Sequence, residues 1–171
     1  MACPVQQSRA MERIPIRKIL LATDFSEGSR KAAEVAIELS RRLDAEVTLL
    51  HVYALPVYMF PDGTSIIPEA GQVAKVVDAV NDRLNAQARQ LTGSGVRVTT
   101  RAVEGNPSEE IVRVAREGDY GLVALGTHGR TGWKHLLMGS VAERVVRTCP
   151  VPALTVRMDP EAPSHLSPPV I

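Results

Sequence analysis

GTHGRTGWKHLLMGS, running from Gly126 to Ser140, is the stretch whose reading decides the fold. It follows a short apolar run, Leu122 to Leu125, that reads as a buried strand. It precedes Val141, Ala142, Val145 and Val146, which repeat as one face of a helix. A strand, a glycine-punctuated loop and a helix N-terminus together make a phosphate site. Glycine lets backbone approach an anion with no Cβ in the way, and the free N–H groups of the helix start point at it. The stretch holds His128, Arg130, Lys134 and His135 and no acidic residue, although the whole chain carries a net charge of only +1.

Working outward, the same strand-then-helix grammar repeats. Ile16 to Ala22 (IRKILLA) reads as a buried strand, Thr23-Asp24-Phe25-Ser26 as a turn with capping residues, and Glu27 to Leu43 as a helix. On that helix Ala32, Ala36, Leu39 and Leu43 line the expected inner face. Glu46 to Tyr53 (EVTLLHVY) is a second strand. Residues 54 to 71, rich in Pro and Gly, form a long connection of the kind that is functional or mobile. A helix from Gln72 to Leu91 presents Val73, Val77, Val80, Leu84 and Leu91 and stops at Gly93 and Gly95. Val96 to Val103 alternates as a strand, and Asn106-Pro107-Ser108-Glu109 starts a helix that ends near Gly118. Tyr120 to Leu125 is the fourth strand, Ser140 to Thr148 the last helix and Val151 to Arg157 the fifth strand.

This alternation predicts an α/β fold with one parallel sheet and helices on both faces. Ligands of such sheets bind at the carboxyl ends of the strands. Thr23, Asp24, His51, Val52 and the segment from Gly126 onward therefore belong to one rim. Residues 1–15 read as a flexible leader, 16–157 as one domain and 158–171 as a Pro-rich flexible tail.

Composition narrows the function. With 20 basic against 19 acidic residues, the chain does not look like a general nucleic-acid or membrane-surface binder. No apolar run approaches the roughly 20 residues that span a bilayer, and the N-terminus has no signal-peptide core. Cys3 and Cys149 fit no metal spacing, so a reduced, cytoplasmic setting is the simplest expectation. Aromatics make up 4% of residues, too few for a base-stacking RNA module.

The segments KILLATDFSEGSRKA, LLHVY, GNPSEEIVRVA and LVALGTHGRTGWKHLLMGSVAERVVRTCPVPALTVR resemble the universal stress protein family. The spacing of Gly126, Gly129, Gly139 and Ser140 is similar to the signature of its ATP-binding branch: two residues, then nine, then Ser or Thr. The resemblance implies a Rossmann-like sheet of strand order 3-2-1-4-5, similar to the adenine nucleotide alpha hydrolases. It implies that Ala22, Thr23 and Asp24 border the adenosine and that Val52 meets the adenine. By the same resemblance Gly126, Thr127, His128, Gly129 and Arg130 wrap ribose and phosphates, and Gly139, Ser140 and Val141 hold the phosphates. The implied ligand is ATP, or AMP or ADP, with Mg as an admitted companion. Two positions depart from the pattern: Ala22 stands where relatives often have Pro, and Ala142 where some have Thr, which removes one hydroxyl donor.

Other readings of these residues stay open at this level. Asp24 could cap the first helix, His51 could be a packed histidine, and Ser140 could be a helix cap and a phosphate donor at once. The motif shows no obvious base for phosphoryl transfer, so at most slow ATP turnover is expected. A nucleotide-independent interaction protein is the rival. The last strand leaves one sheet edge unpaired, and the family commonly pairs it with its copy, which implies a homodimer through Ala153 to Val156.

Overall fold

The computed structural model describes residues 16–55, 69–93, 95–127 and 138–157, together with the backbone of 58–59 and 65–66. Its elements are β1 (Lys18–Ala22), α1 (Glu27–Leu43), β2 (Glu46–Tyr53), β3 (Tyr58–Met59), β4 (Ser65–Ile66), α2 (Ala70–Thr92), β5 (Val98–Glu104), α3 (Pro107–Glu117), β6 (Leu122–Gly126), α4 (Ser140–Thr148) and β7 (Ala153–Val156).

The main sheet has the order β5-β2-β1-β6-β7, with every pair parallel. Counting its strands along the chain, this is the order 3-2-1-4-5. β1 lies at the centre because it is apolar on both faces: Ile19, Leu20 and Leu21 are all fully buried. Its alternate side chains divide between two cores. Ile19 and Leu21 join Val47 and Leu49 against Ala32, Ala33, Ala36 and Ile37 of α1 and Leu84 and Ala88 of α2. Leu20 and Ala22 join Leu50, Val123 and Leu125 against Ile111, Val112, Val114 and Ala115 of α3 and Ala142 and Val145 of α4. Each fully buried Leu or Ile contributes about 1.5–3 kcal/mol to such a core.

The structure adjusts three expectations. On α1 the buried seam is Gly28, Ser29, Ala32, Ala33, Ala36, Ile37 and Ser40, while Leu43 is 44% exposed. The connection between β2 and α2 contains regular structure after all, the antiparallel pair of β3 and β4. Finally, α2 starts two residues earlier than the periodicity indicated, at Ala70.

The chain leaves β1 through α1 to β2 on one side, then returns through α3 from β5 to β6 on the other side. The connections diverge at the carboxyl ends of β1 and β6. That divergence opens a crevice no crossover covers.

Candidate functional site

The crevice is a cleft of about 280 Å³. That volume is near the lower end of small-molecule sites, roughly 300–1,000 Å³. It gathers Ala22, Thr23 and Asp24 from the end of β1, Leu50 and Val52 from β2, and Leu125, Gly126 and Thr127 from the end of β6. Gly139, Ser140, Val141 and Ala142 close one end at the start of α4. Of the residues singled out in the sequence, His128, Gly129, Arg130, Lys134 and His135 lie outside the described residues. The cleft also takes in Ser29, Pro107 and Ile111, which the sequence reading did not select. Pro107 and Ile111 are one turn apart at the start of α3, so they share a face.

The start of α4 is built differently from the sequence expectation. Gly139, not Ser140, is the N-cap, with extended backbone (φ −74°, ψ 155°) and no side-chain cap hydrogen bond. Helical bonding begins with Glu143 N–H donating to Gly139 O at 2.9 Å. The N–H groups of Ser140, Val141 and Ala142 precede it, at the positive end of the helix dipole. Gly139 N–H donates to Thr127 O at 2.7 Å, and Thr127 N–H donates to Val156 O at 2.9 Å. The two ends of the glycine-rich stretch are thereby tied together and fixed to β7.

The turn after β1 is held by side-chain hydroxyls. Ser26 is the N-cap of α1, its Oγ accepting from Ser29 N–H at 3.2 Å. Asp24 does not cap the helix directly. Its Oδ1 accepts from Ser26 N–H at 3.0 Å and from Ser26 Oγ at 2.5 Å, which orients the cap. Burial pushes the Asp24 carboxyl up, but hydrogen bonds from the side chain and backbone of Ser26 and from Ser29 outweigh it and leave its pKa below the usual 3.8. Asp24 is therefore an ionised acceptor on the rim at neutral pH.

Phe25 takes a left-handed backbone (φ 62°), an outlier for a bulky side chain that costs on the order of 1–3 kcal/mol. His51 is half-buried and outside the cleft lining. Its Nδ1 is 2.7 Å from Thr23 O, and its ring centroid lies 4.4 Å from that of Phe25.

The register explains why Val52 faces the cleft with its backbone. Val47 N–H donates to Arg97 O, and Tyr53 O accepts from Gly105 N–H, both at 2.9 Å. Odd-numbered residues of β2 thus turn their polar groups to β5, and even-numbered ones turn theirs to β1. The last bond on that side is Thr23 N–H to Leu50 O at 2.8 Å. Val52 is the next even residue, past the end of β1, so its N–H and C=O open onto the cleft.

With this geometry in view, the family model described as the universal stress protein family matches residues 15–157. The chain belongs to the universal stress protein family. A universal stress protein of Methanocaldococcus jannaschii is 34% identical over 148 residues, which cover 82% of each chain. The solved structure of MJ0577, also from Methanocaldococcus jannaschii, superimposes with a TM-score of 0.71 at 27% identity, over 85% of this chain and 99% of that one. Two more distant universal stress protein structures share the fold. One, in complex with cAMP, has a TM-score of 0.65 at 21% identity, over 85% of this chain and 99% of that one. The other, from Archaeoglobus fulgidus in complex with dAMP, has a TM-score of 0.57 at 19% identity, over 83% and 98%.

Proposed function

We propose that this chain is an adenine-nucleotide-binding module that takes ATP, ADP or AMP in the cleft and works as a homodimer. One observation carries the reading: a single cleft joins an uncapped helix start to an ionised carboxylate across apolar walls. These ends are chemically opposed, and a nucleotide is opposed in the same way. Its phosphates suit the N–H groups of Ser140, Val141 and Ala142 and the hydroxyl of Ser140. A carboxylate repels phosphate, so Asp24 belongs at the other end, accepting from a ribose hydroxyl or an adenine amine. Val52 offers a backbone donor and acceptor to the base edge, and Ile111, Pro107 and Ala22 supply apolar contact. His128, Gly129 and Arg130 are assigned to the phosphates on the family spacing.

Among the described residues no group of three or more His, Cys, Asp or Glu side chains is placed to hold a metal ion. A magnesium ion travelling with ATP would thus be held mainly by the phosphates. The complexes with cAMP and dAMP support the ligand class. The dimer rests on β7, which pairs with β6 on one side and whose four residues are all half-buried, though among the described residues no strand lies beside its other edge.

Mass spectrometry of nucleotide released from freshly purified protein, followed by calorimetric titration with ATP, tests the proposal. Co-purified adenine nucleotide or saturable ATP binding is expected. A clean preparation that also fails to bind added ATP would leave the nucleotide-independent reading in its place.

A further inference from the structure

Asp24 stands between two residues gripped by the same helix. Thr23 Oγ1 donates to Gln87 Oε1 of α2 at 3.1 Å. The guanidinium carbon of Arg83, one turn earlier on α2, lies 4.3 Å from the centroid of the Phe25 ring. Neither Arg83 nor Gln87 lines the nucleotide cleft. Their places follow from the sequence of α2: Leu84 and Ala88 are its buried anchors, and Arg83 and Gln87 each precede one of them. The i,i+4 pair therefore lies beside the core seam, where it meets the turn.

The turn needs such support. A phenylalanine with φ of 62° relaxes toward ordinary backbone unless its surroundings over-determine it. Three restraints converge. Phe25 N–H donates to Thr23 Oγ1 at 3.1 Å, the Phe25 ring packs between His51 and Arg83, and Thr23 O is held by His51 Nδ1. Gln87 Oε1 can only accept, so the Thr23 hydroxyl gives its proton to Gln87 while its oxygen accepts from Phe25 N–H. Arg83 keeps the ring in place by cation–π attraction.

We propose that Arg83 and Gln87 are positioning residues: by clamping Thr23 and Phe25 they hold the Asp24 carboxylate where the ligand meets it. The inference rests on the nucleotide reading above and adds residues that no contact with nucleotide would reveal. A packing role alone would lower stability. A positioning role lowers affinity through Asp24.

The experiment is calorimetric titration with ATP of the native chain, Arg83→Met, Gln87→Met and Arg83→Lys, then of both Met variants in an Asp24→Asn background. Each Met variant should bind ATP about tenfold more weakly, within the range for directly coupled neighbours. Arg83→Lys keeps the cation and should stay within about threefold of native. In the Asp24→Asn background the Met substitutions should weaken binding by no more than about twofold, because the group they position is already lost. Native-like affinity in both Met variants overturns the inference. So does an equal loss with and without Asp24, or an equal loss in Arg83→Lys accompanied by a lower melting temperature. A native chain that binds no ATP instead overturns the nucleotide reading on which the clamp depends.

Discussion

Replacing Gly126 with Ala tests whether the cleft is built from the close approach of two elements. A Cβ on Gly126 would sit 2.7 Å from the carbonyl carbon of Gly28, 2.8 Å from Gly28 O and 3.1 Å from Ser29 N. Ordinary contact to such atoms begins near 3.4 Å, so the overlap approaches 0.7 Å. The obstacle is the backbone of α1, which cannot swing aside as a long side chain would. The substitution must push α1 from β6 at the place where Ser29 and Gly126 both line the cleft. Overpacking of this kind costs typically 1–3 kcal/mol. For a domain of this size, about 2 kcal/mol corresponds to a melting temperature lower by roughly 4–8 °C. Calorimetric melting measures this directly. Gly71→Ala is the control: nothing lies within 4 Å of its Cβ, and it sits inside α2, so it should be neutral or stabilising by up to about 1 kcal/mol. A Gly126→Ala protein that melts like the native chain would refute the packing argument.

Three further outcomes follow. Gly139→Val, at extended backbone that valine tolerates, should abolish calorimetric ATP binding while leaving circular dichroism unchanged, and unchanged affinity would count against the helix start as the phosphate end. Because folding lowers the Asp24 pKa from 3.8, its ionised form contributes stability that is fully present above that value and lost as pH falls through the lower folded value. The native chain should therefore exceed Asp24→Asn in stability by a constant amount from about pH 8 to pH 5, with the gap closing below about pH 4 in urea titrations; a gap that widens in acid would reverse the sign. Thr155→Pro removes a donor from the outer edge of β7, whose even-numbered residues bond to β6, so light scattering should give twice the 18.5 kDa chain mass for the native protein and a smaller mass for the variant. A native monomer at micromolar concentration would dispose of the β7 dimer.

Much of the architecture was legible because each element of the main sheet carries its own period. The buried strands are continuous apolar runs, and the helices have strong starts and stops. Asn106 shows how local this information is: its Oδ1 accepts from Ser108 N–H at 3.1 Å and Glu109 N–H at 3.4 Å, as its place before Pro107 implied. Glu109, by contrast, reaches Arg144 of α4 at 2.9 Å, a surface pair worth at most about 1 kcal/mol, and nothing in the local sequence announces that partner. Strand order is not local either, and it came from family resemblance, not periodicity. The two-residue strands β3 and β4 are too short to show alternation. Hydrophobicity weights large side chains and so places Leu43 on the inner face of α1, whereas Ala32, Ala36 and the half-buried Leu39 pack against the core and Leu43 stays exposed. Apart from Ile37, the fully buried seam is small residues, since Gly28 comes within Cβ-excluding distance of Gly126 and the helix packs close to the sheet there.

The same contrast explains the site. A parallel sheet puts every strand-to-helix turn on one rim, so the first turns of α1, α3 and α4 all reach the cleft, through Ser29, through Pro107 and Ile111, and through Ser140 to Ala142. Rim position alone therefore cannot say which helix start is free to take an anion. Cap chemistry can. α1 begins at Ser26 and α3 at Asn106, and each side chain accepts from its own helix N–H groups. α4 begins at Gly139, which has no side chain to do so. Placing the cap one residue later, at Ser140, would have set its hydroxyl against the N–H groups that an anion needs. With glycine as the cap, both that hydroxyl and the first N–H groups of α4 stay available; α2 also starts without a side-chain cap but lies outside the cleft lining, so of the three helix starts that line the cleft the uncapped one is where the proposed phosphates belong.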